Sequence, residues 1–223
     1  TLYAEIGTYR TADKAFSLFG AGHEQELRIK GNNPYWRLAL QREWEGKHSA
    51  MIGTYGMDVR RFADPLVNSG PTDRFRDIAV DAQYQYIGAT DHRYSAQVNY
   101  IREKQTFDSG AASNRSNTLS SLKAKATYYY RNEYGINAGW FMTKGTPDEA
   151  LYNNGEPVSG SANASPNSTG YILELNWLPR RDLRFVVQYT GYDRFNGARN
   201  NYDGFGRSAH DNNNLFLLVW WMI

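Results

Sequence analysis

The chain contains no cysteine among its 223 residues. This excludes disulfide bonds, thiol catalysis, cysteine-ligated zinc and covalent haem attachment through a CxxCH motif within this sequence. The formal net charge of +2 gives no electrostatic basis for binding nucleic acid. No apolar run approaches the ~18 residues that a membrane helix requires. The longest such run is Leu215–Ile223.

The sequence also lacks the signatures of common enzymes. It has no HExxH, no GxSxG and no dinucleotide or phosphate-binding loop. Its four histidines, His23, His48, His92 and His210, lie in or beside expected loops and are interpreted as solvated. Asp77 and Asp81 share one face of a strand pattern and are the weak candidates for acid–base chemistry. The Asn-rich stretch 196–214 does not have the spacing of a calcium loop. We therefore expect no enzyme activity, no metal site and no cofactor within this chain.

What the sequence does have is alternation. Between residues 77 and 86, Ile78, Val80, Ala82, Tyr84 and Tyr86 fall on one face, and mostly polar residues fall on the other. A side-chain period of two predicts a β-strand with one apolar and one polar face. The 33 aromatic residues, 15% of the chain, favour strands as well.

Ten such segments predict an all-β protein with strands near 2–12, 34–45, 48–61, 75–88, 93–106, 119–131, 134–145, 169–178, 183–195 and 214–223. Tight turns at 45–47, 89–92, 132–133 and 179–182 alternate with long polar loops at 13–33, 62–74, 107–118, 146–168 and 196–213. Short turns at one end and long loops at the other are typical of outer-membrane barrels. The sequence predicts a single domain, 1–223, forming an antiparallel up-and-down transmembrane β-barrel of about ten strands, or part of a larger barrel.

Large aromatic residues on the apolar face fall into two belts, as expected where amphipathic rings lie at the two headgroup levels of a bilayer. Aliphatic or small residues separate the belts. The belt predicted near the tight turns comprises Trp44, Tyr86, Tyr94, Tyr130, Tyr134, Trp177 and Trp221, and the belt nearer the long loops comprises Trp36, Tyr100, Trp140, Tyr171 and Tyr189.

The opposite face carries charges of both signs and is predicted to line the barrel lumen. One basic residue, Arg42, falls instead on the apolar face, where it can extend to the membrane interface. The predicted lumen-facing residues are Glu5, Arg37, Glu43, Asp77, Asp81, Lys123, Lys125, Glu174 and Arg184.

Several stretches resemble a known family. They are Leu2-Tyr3-Ala4-Glu5 with 9–13, Gly70-Pro71-Thr72-Asp73-Arg74-Phe75, 80–86, and 201–207 followed by Asp211-Asn212-Asn213. They resemble the C-terminal barrel part of proteobacterial porin-like outer-membrane proteins in which a CxxCH haem-binding segment precedes the barrel. The resemblance implies a location in the bacterial outer membrane, a haem-bearing segment upstream of Thr1 and a c-type cytochrome as a partner beside the lipid bilayer. The final strand also resembles the C-terminal assembly signal of such proteins, although it ends in Ile223 rather than Phe or Trp.

These observations predict a porin-like barrel that acts as a pore or as the housing of a cytochrome-linked electron conduit. The sequence begins without Met and within a strand, so we expect a mature product or a fragment. Because a membrane sheet cannot expose strand edges to lipid, the first strand must pair with the last or with further strands. Two alternatives stay open: a soluble β-sandwich or lipocalin-like binding protein, and a barrel hydrolase that uses Asp77 or Asp81.

Overall fold

The computed structural model describes residues 1–11, 28–67, 69–88 and 91–222. Within this part of the chain, no helix is long and apolar enough to cross a membrane. The predicted loop 13–33 lies largely outside the described residues, as does His23.

Ten strands dominate the structure. Their bounds are β1 Leu2–Tyr9, β2 Asn33–Trp44, β3 His48–Phe62, β4 Thr72–Ile87, β5 His92–Thr106, β6 Ser116–Tyr130, β7 Tyr134–Gly145, β8 Ser168–Arg180, β9 Leu183–Arg194 and β10 Asn214–Trp221. A short helix, α1 (Glu149–Tyr152), lies in the loop before β8, and a 3-10 turn (Ala209–Asn212) precedes β10.

All ten strands belong to one antiparallel sheet in chain order, so each strand pairs with its sequence neighbours. This confirms the predicted all-β, up-and-down architecture. A single sheet of this order does not have the two packed layers of a sandwich. Within the described residues, no pairing joins β1 to β10, so both edges of the sheet are open.

Two of the tight turns adopt left-handed backbone conformations. Glu45 and Gly46 have φ values of 55° and 60°, and Arg131 and Asn132 have φ values of 52° and 56°. Such turns match the right-handed twist of paired strands and therefore allow short hairpins. Gly46 meets this demand without a steric penalty, whereas Glu45 and Arg131 adopt it despite their side chains.

Some boundaries differ from the sequence prediction. Strands β4 and β6 each begin three residues earlier than expected, at Thr72 and Ser116, and β1 ends at Tyr9. Pro179, expected in a turn, lies within β8 at a register irregularity between Trp177 and Arg180. Proline has no N–H to donate, and this irregularity is where a strand can accommodate one.

The sheet is curved with its polar face on the inside. Asp81 of β4 and Gln188 of β9 line the same cavity, although five strand spacings separate them in the sheet. In a flat sheet that separation would be about 24 Å. The apolar face is therefore the convex, outward face.

Candidate functional site: the polar inner face

The inner face holds a cavity of about 640 Å³. Four of the predicted lumen-facing residues line it together, namely Asp81, Lys123, Lys125 and Glu174. The alternation of β4 to β9 directs these side chains to one side of the sheet. The other predicted members, Glu5, Arg37, Glu43, Asp77 and Arg184, do not line this cavity.

An ion pair borders the cavity on the β2–β4 side. Arg37 Nη2 donates to Asp81 Oδ2 at 2.7 Å, and both side chains are mostly buried. The two residues lie on either side of β3, whose inward residue between them is Gly53. A Cβ atom on Gly53 would lie 2.7 Å from Asp81 Oδ1 and 3.1 Å from Arg37 Nη2. The missing side chain is what allows the pair to form across an intervening strand.

Aromatic contacts support the same pair. The Arg37 guanidinium lies 5.3 Å from the centre of the Tyr55 ring, a cation–π geometry. Asn99 Nδ2 donates to the Tyr55 hydroxyl at 2.8 Å. Side chains from β2, β3, β4 and β5 thus form one connected polar network on the inner wall.

A second network lies on the β7–β9 side. Glu174 accepts hydrogen bonds from the amides of Asn137 and Asn176, the latter at 2.8 Å. Arg184 donates through Nε to Asn176 Oδ1 at 2.8 Å, and its Nη2 lies 3.5 Å from Glu174 Oε1. The Glu174 charge is therefore compensated within the wall.

Between these networks, Lys123 and Lys125 project from β6 and are exposed. Neither forms an ion pair within the described residues. Because Asp81 and Glu174 are each paired with an arginine, the uncompensated charge lining the cavity is positive. Such a wall favours polar and anionic solutes.

Among the residues that the structure describes, no histidine pairs with Asp77 or Asp81. Asp77 lies opposite Glu103 across the β4–β5 ladder, and Asp81 is engaged by Arg37. His48, the histidine across from the turn end of β4, lies on the outward face with Trp44 and Tyr86. In the described part of the chain, no three His, Asp or Glu residues are close enough to hold a metal ion.

The outward face exposes a continuous apolar band. Leu40 is 60% exposed, Ile52 is 62%, Val80 is 51% and Leu175 is 59%. These apolar side chains are not buried against other protein atoms, and a soluble protein rarely maintains so large an exposed apolar surface.

The aromatic belts border this band and follow the strand register. Near the tight turns, Trp44 is opposite His48, and His48 is opposite Tyr86; farther along, Tyr134 is opposite Trp177. Near the long loops, Trp140 is opposite Tyr171. All twelve predicted belt residues lie in strands on the outward parity, and Tyr94, Tyr134, Trp177 and Trp221 are among the most exposed of them.

Sequence reasoning missed four members of the belt near the tight turns. The His48 ring stacks on Trp44 with centroids 5.1 Å apart, and its Nδ1 lies 2.9 Å from the Tyr84 hydroxyl. His92 and Tyr128 repeat the arrangement, with 2.8 Å between Nδ1 and the hydroxyl oxygen. These four residues lie on the same face of their strands as the predicted belt residues, and this parity is the sequence signal that could have identified them. The solvated interpretation is therefore wrong for His48, whereas His210 is exposed.

The long loops are organised by buried side chains. The Asp148 carboxylate accepts hydrogen bonds from the backbone N–H groups of Ser113, Asn114 and Leu151 and from the Asn117 side chain. Burial opposes ionisation of Asp148, but these four donors outweigh it and lower its pKa to about 2. The carboxylate therefore joins the β5–β6 loop to the β7–β8 loop.

The Asn-rich segment before β10 packs against the β7–β8 loop. Tyr202 is fully buried, and its hydroxyl donates to the Val158 carbonyl at 3.0 Å. Asp203 accepts from the backbone of Val158, Phe205 and Arg207. Burial raises the pKa of Asp203, but these bonds outweigh it and the net shift is downward. Side chains of this loop, such as that of Asp203, therefore fix the loop conformation by accepting hydrogen bonds from backbone N–H groups.

No protein-family model and no curated protein matches the sequence. Two solved structures are similar to the chain. One is a NanC porin structure, 13% identical, covering 86% of this chain and 94% of the porin with a TM-score of 0.39. The other is the copper transporter OprC, 10% identical, covering 98% of this chain but 36% of the transporter with a TM-score of 0.42. Both scores are below 0.5, so neither similarity supports a conclusion about this chain.

Proposed function

We propose that this chain forms the wall of a bacterial outer-membrane β-barrel whose polar inner face lines a pore for small hydrophilic solutes. The observation that carries the proposal is the opposition of the two faces. The outward face exposes an apolar band bordered by aromatic belts, and the inward face is polar and surrounds a cavity. Lipid chains can solvate the apolar outward face, and water can solvate the polar inward face.

The pore is proposed to prefer anions. Lys123 and Lys125 are the uncompensated charges beside the cavity, since Asp81 and Glu174 interact with Arg37 and Arg184. Fixed charges along a narrow polar passage raise the local concentration of counter-ions.

The open edges need partners in this setting. Unpaired N–H and C=O groups along β1 and β10 would each be costly in hydrocarbon. Completion of the wall by β1–β10 pairing, or by flanking strands of a larger barrel, satisfies them. Both versions leave the inner wall between β2 and β9 unchanged.

The alternatives have weaker support. A lipocalin-like protein encloses an apolar ligand cavity, whereas most residues lining this cavity are charged or carry amides, with Phe141 and Ile172 among the apolar ones. The exposed apolar band lies on the convex side. A barrel hydrolase would need Asp81 for catalysis, whereas in the proposed pore Asp81 serves in the ion pair with Arg37. The cytochrome partner stays a prediction of the sequence resemblance, and the visible spectrum of the polypeptide purified from native membranes tests it.

The decisive experiment is reconstitution of the native polypeptide that carries this sequence into planar lipid bilayers. We expect ion conductance with a reversal potential that indicates anion preference. The double substitution Lys123→Glu/Lys125→Glu should shift that potential towards cation preference, whereas Lys47→Glu in a tight turn should leave it unchanged. Absence of conductance, or equal effects of both variants, would contradict the proposal.

A further inference from the structure

The long-loop ends of three neighbouring strands carry a cationic cluster on the outward face. We name it the outer basic cluster, and its members are Arg60 of β3, Arg74 and Arg76 of β4, and Arg102 and Lys104 of β5. The sheet register places Arg60 opposite Arg74, and Arg76 opposite Lys104. Directly opposite side chains have Cβ atoms about 4.5–5.5 Å apart, so like charges there destabilise the sheet unless an anion compensates them.

The described residues supply only part of that compensation. Asp58 binds Arg74, with Arg74 Nε donating to Oδ1 at 2.8 Å. Within the described residues, Arg76, Arg102 and Lys104 form no hydrogen bond or ion pair through their side chains, and all three are exposed. Among the described residues, five cations thus share one carboxylate, and Arg60 is, like these three, without an ion pair.

The position of the cluster indicates what surrounds it. Arg102 follows the belt residue Tyr100 by two positions on the same face of β5, and Arg76 precedes Ile78, which is 64% exposed in the apolar band. Two residues of a strand advance by about 7 Å. The cluster therefore lies just beyond the aromatic belt, at the level of lipid headgroups. At the tight-turn ends of β3, β4 and β5, the outward positions are instead His48, Tyr86 and His92.

We infer that the outer basic cluster binds the phosphate groups of a lipid headgroup in the leaflet that surrounds the long-loop end. This inference rests on the proposed membrane location. Arginine forks bind phosphate oxygens in bidentate fashion, and a neighbouring lysine adds a compact charge. A headgroup with two phosphates, such as that of a phosphorylated glycolipid, fits a cluster that extends over three adjacent strands.

The test uses the native polypeptide in detergent micelles. Bisphosphorylated lipid A is titrated into the protein, and bound lipid is counted by native mass spectrometry. The triple variant Arg76→Gln/Arg102→Gln/Lys104→Gln is compared with a matched control, Lys47→Gln/Arg115→Gln/Arg131→Gln, which removes three exposed charges elsewhere. We expect at least tenfold weaker lipid binding for the first variant and a change of less than twofold for the control.

Two further arms use only the wild-type protein, so they do not depend on folding of a variant. Dephosphorylated lipid A should bind at least tenfold more weakly than the bisphosphorylated form, and inorganic phosphate at equal concentration should not displace the lipid. Equal binding of both lipids, or unchanged binding by the triple variant, overturns the inference. Displacement by inorganic phosphate would instead assign the cluster to a soluble anion.

The outcome is distinguishable from failure of the proposed function. If the wild-type protein does not partition into membranes, both proposals fail together. If it conducts ions in bilayers but the triple variant retains lipid, only the lipid site is overturned. The cluster lies on the face opposite the cavity, so the triple variant should retain wild-type conductance.

Discussion

The Arg37 guanidinium reaches over Gly53 to the Asp81 carboxylate at 2.7 Å, so a residue of β2 is joined to a residue of β4 across the strand between them. Ladder hydrogen bonds connect only adjacent strands. This ion pair therefore adds a constraint on the curvature of the sheet that the ladder alone does not supply.

Substituting Gly53→Ala should break that ion pair. The new Cβ would lie 2.7 Å from Asp81 Oδ1, so one or both charged side chains must move. We expect a loss of about 1–3 kcal/mol in the free energy of unfolding, as is typical of overpacked sites. The measurement is urea unfolding in detergent. Gly139→Ala, whose Cβ would have its nearest contact at 3.6 Å, is the matched control and should be neutral. Equal stability of the two variants would show that the ion pair does not constrain the wall.

The membrane-facing assignment predicts opposite outcomes for two neighbouring residues. Leu40, 60% exposed, lies midway between Trp36 and Trp44 on the outward face, and Gln41 faces inward. Leu40→Arg should destabilise the protein in a bilayer by about 2–4 kcal/mol, the cost of a basic side chain at the midplane. Gln41→Arg should be tolerated. Folding yield into vesicles measures both, and a reversed order would contradict the assignment of faces.

The contact that Asp148 makes between the β5–β6 and β7–β8 loops should be sensitive to acid. Its pKa, lowered to about 2 by four hydrogen bonds, lies below the ordinary carboxyl value. Its stabilising effect is therefore fully present above about pH 4 and is lost as the pH falls through about 2. Hydrogen exchange at the Ser113 and Asn114 amides should accelerate over that interval. Asp148→Asn should show rapid exchange already at neutral pH, whereas Asp108→Asn, at an exposed site in the β5–β6 loop that contains Ser113 and Asn114, should behave like the wild type. Unchanged exchange in Asp148→Asn would refute this role.

Two substitutions of Tyr202 should separate the contribution of its ring packing to stability from that of its hydroxyl hydrogen bonds. Its ring packs against Phe195 at a centroid distance of 4.9 Å, and its hydroxyl donates to Val158. Tyr202→Ala should cost about 3–5 kcal/mol and expose the loops to proteolysis. Tyr202→Phe should cost about 0.5–1.5 kcal/mol, since it removes only the hydroxyl interactions. Similar proteolysis of both variants would indicate that the ring contributes little.

The period-two pattern predicted the strands because each one has a polar and an apolar face, and parity assigned Lys123 and Trp140 to opposite faces from local sequence alone. Parity also places His48 on the outward face with Trp44, so the prediction of a solvated side chain, which rests on residue type and a nearby turn, is wrong. The early start of β4 was less predictable, because Asp73 is a poor strand former on its own and is buried by hydrogen bonds from Ser109.

The loop structure could not be predicted for a different reason. Asp148 receives hydrogen bonds from residues 34 and 35 positions earlier in the chain, at Asn114 and Ser113. The Arg37–Asp81 pair likewise joins residues 44 positions apart and depends on Gly53 between them. No periodicity encodes such contacts, because they arise only after neighbouring strands have aligned.

Every strand of the sheet pairs with its neighbours in the chain. The sheet can therefore grow by successive addition of hairpins, each of which closes only a short segment and loses little chain entropy. The Arg37–Asp81 ion pair cannot form until β4 has paired with β3, so it stabilises the group of three strands and neither hairpin alone. Any final joining of the two edges is different in kind, since it must wait until all the intervening hairpins exist, and it is the step we expect to limit the rate of assembly.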